Sequence, residues 1–145
     1  MATDRKATTQ WQGDLKSGGG SVSLDTTRVA GPLQVSWPSR AAEPGGQTSP
    51  EELIAAAHSA CYSMALSNLL DQQGHAPEAL ETSAVVTFDT DGGAHISGVA
   101  LTVRGTVPGI DAGAFAEAAQ AAKDGCPVSK ALAGNVAITL DASLA

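Results

Sequence analysis

Short runs of polar and β-branched residues alternate with turn-forming residues at the start of the chain. The runs Thr8–Asp14 and Ser21–Asp25 flank the segment Lys16-Ser17-Gly18-Gly19-Gly20. Glycine reaches positive φ at no steric cost, so this pattern predicts a β-hairpin whose loop uses the glycines for that purpose. A third short strand is predicted over Gln34–Trp37, and Pro38 is expected to end it.

The segment Ser49-Pro50-Glu51-Glu52 has the composition of a helix start. Serine suits the N-cap, proline suits the first helical position, and the Glu52 side chain can close a capping box. The helix is predicted from Pro50 to about Gln73, and Gly74 is expected to end it. One face at helical spacing consists of Ile54, Ala57, Cys61, Met64 and Ala65, which puts Cys61 mid-helix on an apolar side.

Alternating apolar and polar residues then predict a second hairpin. Its strands are Ala84–Phe88 and His95–Val107, and its turn is Asp91-Gly92-Gly93.

The last part of the chain combines two helical segments and a strand. Asp111 is predicted to cap an alanine-rich helix that stops near Gly125, and a short helical segment then runs from Pro127 to Gly134. A final strand is predicted in which every second residue points inward, namely Val136, Ile138 and Leu140. The order of elements predicts a single α+β domain over residues 1–145 and does not fit a doubly wound nucleotide-binding fold.

Composition narrows the possible functions. Apolar residues make up 43% of the chain and charged residues 16%, which is too apolar for a disordered protein. Net charge is −7 and aromatic residues are only 3%, so neither a basic patch nor a stacking surface for nucleic acid is expected. No uninterrupted apolar run is long enough for a membrane span, and no export signal is recognised, so a cytoplasmic protein is predicted.

Two cysteines, Cys61 and Cys126, are the main candidates for chemistry. In a reducing compartment a structural disulfide is uncommon, so the choice lies between a reactive redox pair and two buried unlinked thiols. Cys126 is the expected N-cap before Pro127, where unpaired N–H groups lower a thiol pKa, so the residues alone favour Cys126 as the more acidic thiol. Cys61 would need a cation to offset its desolvation.

Arg40 is the candidate for that cation. It lies at the head of a loop predicted over residues 41–47, directly upstream of the helix that carries Cys61. Glu51 is explained by the helix dipole alone, and ten residues of straight helix would hold it about 15 Å from Cys61. If Arg40 and Glu51 serve Cys61, either the helix begins later or the pair reaches the thiol of a partner chain, and we favour the dimer.

Metal binding has weak support. His58 and Cys61 share a helix face at i and i+3, and Cys126 could add a third ligand, but no Cys-x-x-Cys pair or second histidine within helical reach accompanies them. His58 is therefore predicted to be a packed or hydrogen-bonded histidine, and no metal site is expected.

Two segments, Thr48–Leu66 (TSPEELIAAAHSACYSMAL) and Gly125–Leu132 (GCPVSKAL), resemble the two cysteine motifs of the OsmC/Ohr peroxidase family. The resemblance extends over nearly the whole chain, through Trp11–Asp14, Val107–Asp111 and Ile138–Asp141. His58 before the first cysteine fits the OsmC branch, that of the osmotically inducible protein C-like hydroperoxide reductases.

The resemblance implies an OsmC-like fold, in which antiparallel sheets pack on a long central helix and a second helix, in an intertwined homodimer without metal or organic cofactor. It implies that Cys61 is the peroxidatic cysteine and Cys126 the resolving one. It also implies that Arg40 holds the thiolate and polarises the peroxide, while Glu51 orients Arg40.

The expected activity is reduction of organic hydroperoxides, and more weakly of hydrogen peroxide, in oxidative and osmotic stress defence. It would proceed through a Cys61 sulfenic acid and a Cys61–Cys126 disulfide that an external dithiol reduces. The rival interpretation is a non-catalytic small-ligand or redox-responsive binding module of the same fold, with unreactive cysteines.

Overall fold

The computed structural model describes all residues from Met1 to Ala145 and divides them into two compact units. The first unit is Met1–Leu53 and the second is Ile54–Ala145. The single domain expected over residues 1–145 stays a prediction.

The first unit contains an antiparallel three-stranded sheet in the order β1-β2-β3. Its strands are β1 (Thr8–Gln12), β2 (Gly19–Ser23) and β3 (Leu33–Val35). The register pairs Thr8 with Ser23 and Gln12 with Gly19, so the predicted first hairpin is present.

The glycines of this hairpin serve close packing rather than positive φ. Positive φ occurs at Gly13 (86°) and not at Gly18 or Gly20. A Cβ on Gly18 would lie 2.3 Å from the carbonyl oxygens of Gln12 and Asp14. The prediction that the loop glycines supply positive φ was wrong, because the turn brings two backbone segments too close for any side chain at Gly18.

A short helix, α1 (Trp37–Ala41), follows β3 where the sequence had predicted strand and then loop. Ser36 caps it by accepting from the Ser39 N–H at 3.2 Å, and the Ser39 hydroxyl oxygen accepts from the Ser36 N–H at 3.1 Å. Proline fits the first turn of a helix, so Pro38 supports α1 instead of simply ending a strand. Arg40 consequently lies in the last turn of a helix and not at the head of a loop.

Helix α2 (Pro50–Gln72) begins at the predicted proline. The Ser49 hydroxyl oxygen accepts from the Glu52 N–H at 3.1 Å, which is one half of the expected capping box. The Glu52 carboxylate instead accepts from the Thr48 hydroxyl at 2.6 Å. Gly74 has a φ of 82°, the left-handed conformation expected just after a helix end.

The buried face of α2 differs from the predicted one. Four residues at successive i+4 positions are completely buried, namely His58, Tyr62, Leu66 and Leu70. Met64, expected on the apolar face, is 72% exposed, and Ala57 is also exposed. Alanine and other apolar residues occupy nearly all sides of α2, so spacing alone could not identify the side that packs.

The second unit is built on a mixed sheet in the order β4-β5-β6. Its strands are β4 (Ala79–Asp89), β5 (His95–Thr106) and β6 (Ala137–Leu144). Strands β4 and β5 form the predicted hairpin, with positive φ at Gly92 and Gly93 in its turn, and β4 begins earlier than expected. Strand β6 lies parallel to β5, where antiparallel sheets were expected.

The parallel arrangement follows from the connection between β5 and β6. That connection contains α3 (Ala112–Gly125) and α4 (Pro127–Leu132), and a chain that crosses back over a sheet through helices returns as a parallel strand. Asp111 caps α3 as predicted, accepting from the Ala114 N–H at 2.8 Å.

The core of the second unit lies between its sheet and its helices. Val99, Leu101 and Val103 are buried while the residues between them are exposed, so α2 and α3 cover one face of β5. The Phe115 ring packs on Gly105, where a Cβ would lie 2.7 Å from it.

Helix α2 has the length and hydropathy of a membrane span. Tyr62, Leu66 and Leu70 nevertheless have no exposed surface, and all three belong to the hydrophobic core. The helix is therefore accounted for as the central core helix of this unit.

Candidate active site

The first unit holds an ion pair between Arg40 and Glu51. The Arg40 Nη2 donates to Glu51 Oε1 at 2.8 Å, and Arg40 Nε contacts both carboxylate oxygens at 3.1 and 3.2 Å. Glu51 therefore does more than interact with the helix dipole, since it accepts charge-assisted hydrogen bonds from a planar guanidinium.

Local helix geometry brings these two side chains together. Arg40 is in the last turn of α1 and Glu51 in the first turn of α2. The Ser39 hydroxyl lies 2.9 Å from the Ser36 carbonyl oxygen and 3.3 Å from that of Thr48, so it links α1 to the residues before α2. The Glu51 side chain is 8% exposed and that of Arg40 30%, so the guanidinium is the partner that reaches the surface.

The second unit brings the two cysteines together. Cys61 is in the middle of α2, and Cys126 is the N-cap of α4, as predicted. Both are free thiols, and they lie close enough across 65 residues of sequence for each to shift the pKa of the other. Cys126 is completely buried whereas Cys61 is partly exposed, so a molecule arriving from solvent reaches the Cys61 sulfur first.

The two thiols differ in acidity. Burial raises the pKa of Cys61, and the neighbouring Cys126 raises it further, against a smaller opposing effect of the Val128 N–H. Burial acts on Cys126 in the same direction, but hydrogen bonds from the Ser129 N–H, the Cys61 thiol and the Ser129 hydroxyl outweigh it and lower its pKa. The directions of the two pKa shifts agree with the order of acidity that the residues alone favour.

A histidine and a serine extend this thiol pair into the core. His58 Nε2 lies 2.8 Å from Ser129 Oγ, and both side chains are buried. His58 is thus the packed, hydrogen-bonded histidine that the sequence predicted, and burial lowers its pKa. We call His58, Cys61, Cys126 and Ser129 the thiol cluster.

Sequence reasoning did not identify Ser129. The available signal was a repeated spacing, since His58 precedes Cys61 by three residues and Ser129 follows Cys126 by three. On a helix that spacing places both members of each pair on one face. The structure thus brings Arg40 to Glu51 and Cys61 to Cys126, and the catalytic roles of all four residues stay predictions.

Three comparisons place these features among known proteins. The family model described as OsmC-like protein matches residues 43–141. Peroxiredoxin OsmC of Escherichia coli K12 is 43% identical over 145 residues, covering 99% of each chain. Organic hydroperoxide resistance protein-like 2 of Staphylococcus epidermidis is 36% identical over 100 residues, covering 67% of this chain and 68% of the relative.

Solved structures give the same picture. The organic hydroperoxide resistance protein OhrB of Bacillus subtilis superposes with a TM-score of 0.72 at 29% identity, covering 94% of this chain and 97% of that one. An organic hydroperoxide resistance protein of Elizabethkingia anophelis superposes with a TM-score of 0.75 at 25% identity, covering 100% of each chain. The α+β arrangement of sheets and helices is therefore shared with these proteins.

Proposed function

The chain belongs to the OsmC-like protein family, and from this premise we propose that it is a cysteine-based peroxidase that reduces organic hydroperoxides. Hydrogen peroxide is a weaker substrate. The observation that carries the proposal is the reduced thiol pair, in which a partly exposed Cys61 lies beside a buried Cys126. Because Cys61 is exposed, its sulfur is the one that attacks the peroxide. The lower pKa of Cys126 suits that thiol to the second step, attack on the oxidised Cys61.

In the first step the Cys61 sulfur attacks the terminal peroxide oxygen. Cys61 reacts as its thiolate, which forms when the thiol proton passes to solvent and which a guanidinium stabilises. The O–O bond breaks, the oxygen joins Cys61 as a sulfenic acid, and the alkoxide leaves and takes a proton to become an alcohol.

In the second step the Cys126 thiolate attacks the sulfenic sulfur of Cys61. An S–S bond forms, the S–O bond breaks, and hydroxide leaves and is protonated to water. The cysteine pair has then lost two electrons to the peroxide. An external dithiol supplies two electrons and two protons to restore both thiols.

Arg40 and Glu51 have a proposed role in the first step. A guanidinium stabilises a thiolate and polarises a peroxide, and Glu51 holds the Arg40 side chain by three hydrogen bonds. Helix α2 is unbroken from Glu51 to Cys61, which corresponds to about 15 Å of axial rise. We therefore assign the pair of one subunit to the Cys61 of its partner in a homodimer.

The surroundings of Cys61 support a preference for organic hydroperoxides. Ala57 and Met64, at i−4 and i+3 from Cys61, are exposed on the outer side of α2. Apolar side chains beside the attacking sulfur favour contact with the alkyl part of a substrate. Comparison of kcat/KM for cumene hydroperoxide and hydrogen peroxide tests this preference directly.

The remaining elements of the proposal concern cofactors and setting. The sulfur atoms accept the oxygen and carry the electrons, so no metal or organic cofactor is assigned to the reaction. We assign the protein to the cytoplasm, where dithiol reductants are maintained, and to defence against oxidative and osmotic stress.

One experiment tests the function. The fully reduced protein is mixed with one equivalent of cumene hydroperoxide without reductant, and thiol loss and the peptide map are followed by mass spectrometry. We expect rapid, stoichiometric formation of a Cys61–Cys126 disulfide. Two thiols unchanged after minutes would contradict the peroxidase and favour a binding module of the same fold.

A further inference from the structure

We propose that His58 is a positioning residue for Cys126 and acts on it through the Ser129 hydroxyl. The inference rests on the proposed function only for the step it serves, which is formation of the disulfide. The contacts that carry it belong entirely to the second unit.

The contacts form a continuous path from the core to the sulfur. His58 has no exposed surface, and its Nε2 lies 2.8 Å from the oxygen of Ser129, which is 4% exposed. Ser129 lies three residues after the N-cap Cys126 in α4, which puts its hydroxyl within one helical turn of the Cys126 sulfur, and this hydroxyl lowers the pKa of Cys126. The path joins α2 to α4 over 71 residues of sequence.

The tautomer of His58 gives this path a direction. Nδ1 is buried and has no hydrogen-bond partner. A buried N–H left without an acceptor is rarer in proteins than a buried acceptor left without a donor, so the neutral ring carries its proton on Nε2. Nε2–H then donates to the Ser129 oxygen, and the single hydroxyl proton of Ser129 is directed to Cys126.

This direction matters for the second step of the reaction. A hydroxyl that donates to sulfur stabilises the thiolate, which is the form of Cys126 that attacks the sulfenic sulfur of Cys61. Without the His58 donor, the Ser129 hydroxyl could rotate away from Cys126. His58 therefore contacts no reacting atom and acts by orienting the group that does.

Other groups also face Cys126 and have to be held constant in a test. Cys61 and Tyr62 lie on the α2 side, and the backbone N–H groups of Val128 and Ser129 lie on the α4 side. Replacing His58 by leucine leaves all four in place. Replacing it by glutamine keeps an N–H donor at the end of a side chain of similar reach.

The test measures the Cys126 thiolate directly. In a Cys61→Ser background, which leaves Cys126 as the only thiol, the ultraviolet absorbance of the Cys126 thiolate is followed against pH under conditions where the fold is intact. We expect His58→Leu to raise the apparent pKa of Cys126 and to lower its thiolate fraction at neutral pH about three- to tenfold, as one lost hydrogen bond predicts.

Three further variants test the route through Ser129. Ser129→Ala is expected to shift the Cys126 profile in the same direction, and adding His58→Leu to it is expected to cause no further shift. His58→Gln is expected to restore most of the wild-type profile. Independent, additive shifts, or an unchanged Cys126 profile in His58→Leu, would overturn the proposal.

A matched control separates positioning from a general loss of packing. Leu70→Ala lies three i+4 steps further along the same buried face of α2 and should lower the melting temperature without moving the Cys126 profile. In the otherwise wild-type chain, His58→Leu should slow disulfide formation while sulfenic acid formation keeps its rate. Since the thiolate absorbance profile needs no peroxide, a failure of the proposed function is distinguishable from a failure of the role of His58.

Discussion

The Arg40–Glu51 pair and the thiol cluster differ in charge, in burial and in the sequence separation of their residues. The pair is formally charged, reaches the surface through Arg40, and joins two residues only 11 positions apart in sequence. The thiol cluster is formally uncharged when reduced, is buried except at Cys61, and joins residues 71 positions apart. The first region keeps a permanent cation in place, and the second adjusts the protons of two thiols.

The difference indicates how chemical work is divided between them. A guanidinium holds its proton throughout, so Arg40 can stabilise negative charge but cannot exchange protons. The cluster consists of groups that each gain or lose a proton within reach of neutral pH or pass one along a hydrogen bond. Substitutions in the two regions should therefore impair different steps of the reaction.

The largest effect is expected from the thiol cluster. Cys61→Ser should reduce peroxide turnover to the uncatalysed rate, because the attacking sulfur is lost. Cys126→Ser should instead consume one equivalent of peroxide and leave a sulfenic acid that dimedone traps, since the first step does not need the second thiol. Mass spectrometry after one turnover distinguishes the two, and a dimedone adduct on Cys126 rather than Cys61 would reverse the assigned roles.

The next largest effect concerns the charged pair. Arg40→Ala should lower kcat/KM about 100-fold, a typical result of removing one electrostatic stabiliser, while the thiols remain able to form a disulfide slowly. It also leaves the Glu51 carboxylate buried without its partner, which should cost about 1–3 kcal/mol of stability. Kinetics and denaturant unfolding measure the two effects, and full activity in this variant would remove Arg40 from the mechanism.

Arg40→Lys is the matched control for that variant. Lysine keeps the positive charge but cannot reproduce the planar contact of a guanidinium with both carboxylate oxygens. We expect intermediate stability and activity. A lysine variant indistinguishable from alanine would show that the geometry of the pair, rather than its charge, is what matters.

A smaller effect is expected on lowering the pH. Burial depresses the pKa of His58 in the folded protein, so between the folded and unfolded pKa values only the unfolded chain binds the proton. Stability should therefore be fully present above the unfolded value of about 6.5 and decline as the pH falls from there toward the folded value. Thermal unfolding as a function of pH should show this decline, and His58→Gln should reduce it.

The smallest effect separates the two regions by salt. Ionic strength screens charges that reach solvent much more than it affects buried neutral hydrogen bonds. Raising salt from about 0.05 M to about 1 M, where the screening length falls to about 3 Å, should weaken the stability difference between wild type and Arg40→Ala by a few tenths of a kcal/mol. The pH profile of Cys126 thiolate absorbance in the Cys61→Ser chain should shift less with salt, and equal sensitivity would contradict the contrast.

Features set by neighbouring residues could be predicted from the sequence. Ser49 and Pro50 begin α2, Asp111 caps α3, and Cys126 occupies the N-cap position of α4, because each depends on backbone groups within one helical turn. The α+β class and both hairpins followed from the same local patterns. The thiol pair could be proposed because only two cysteines are present and both lie in recognisable motifs.

Features that depend on distant contacts could not be predicted in this way. Nothing near Ser129 in sequence indicates His58, and nothing near Val136 indicates that β6 joins β5 in parallel. The prediction of which side of α2 packs was wrong because apolar residues surround the helix. Helix α1 was missed for a different reason, since Pro38 is equally compatible with the end of a strand and the first turn of a helix.

The parallel pairing of β5 and β6 affects the order in which the parts of the second unit fold. The segment between Thr106 and Ala137 must cross back along the sheet before β6 can pair with β5. Cys126 belongs to this segment. Lys123, three residues before Cys126, donates to the Ile138 carbonyl of β6 at 3.2 Å and so ties the crossing segment to the strand. During synthesis Cys61 is made 65 residues before Cys126. Each newly made molecule therefore has a Cys61 thiol without its partner thiol until the crossing segment and β6 have packed on the sheet.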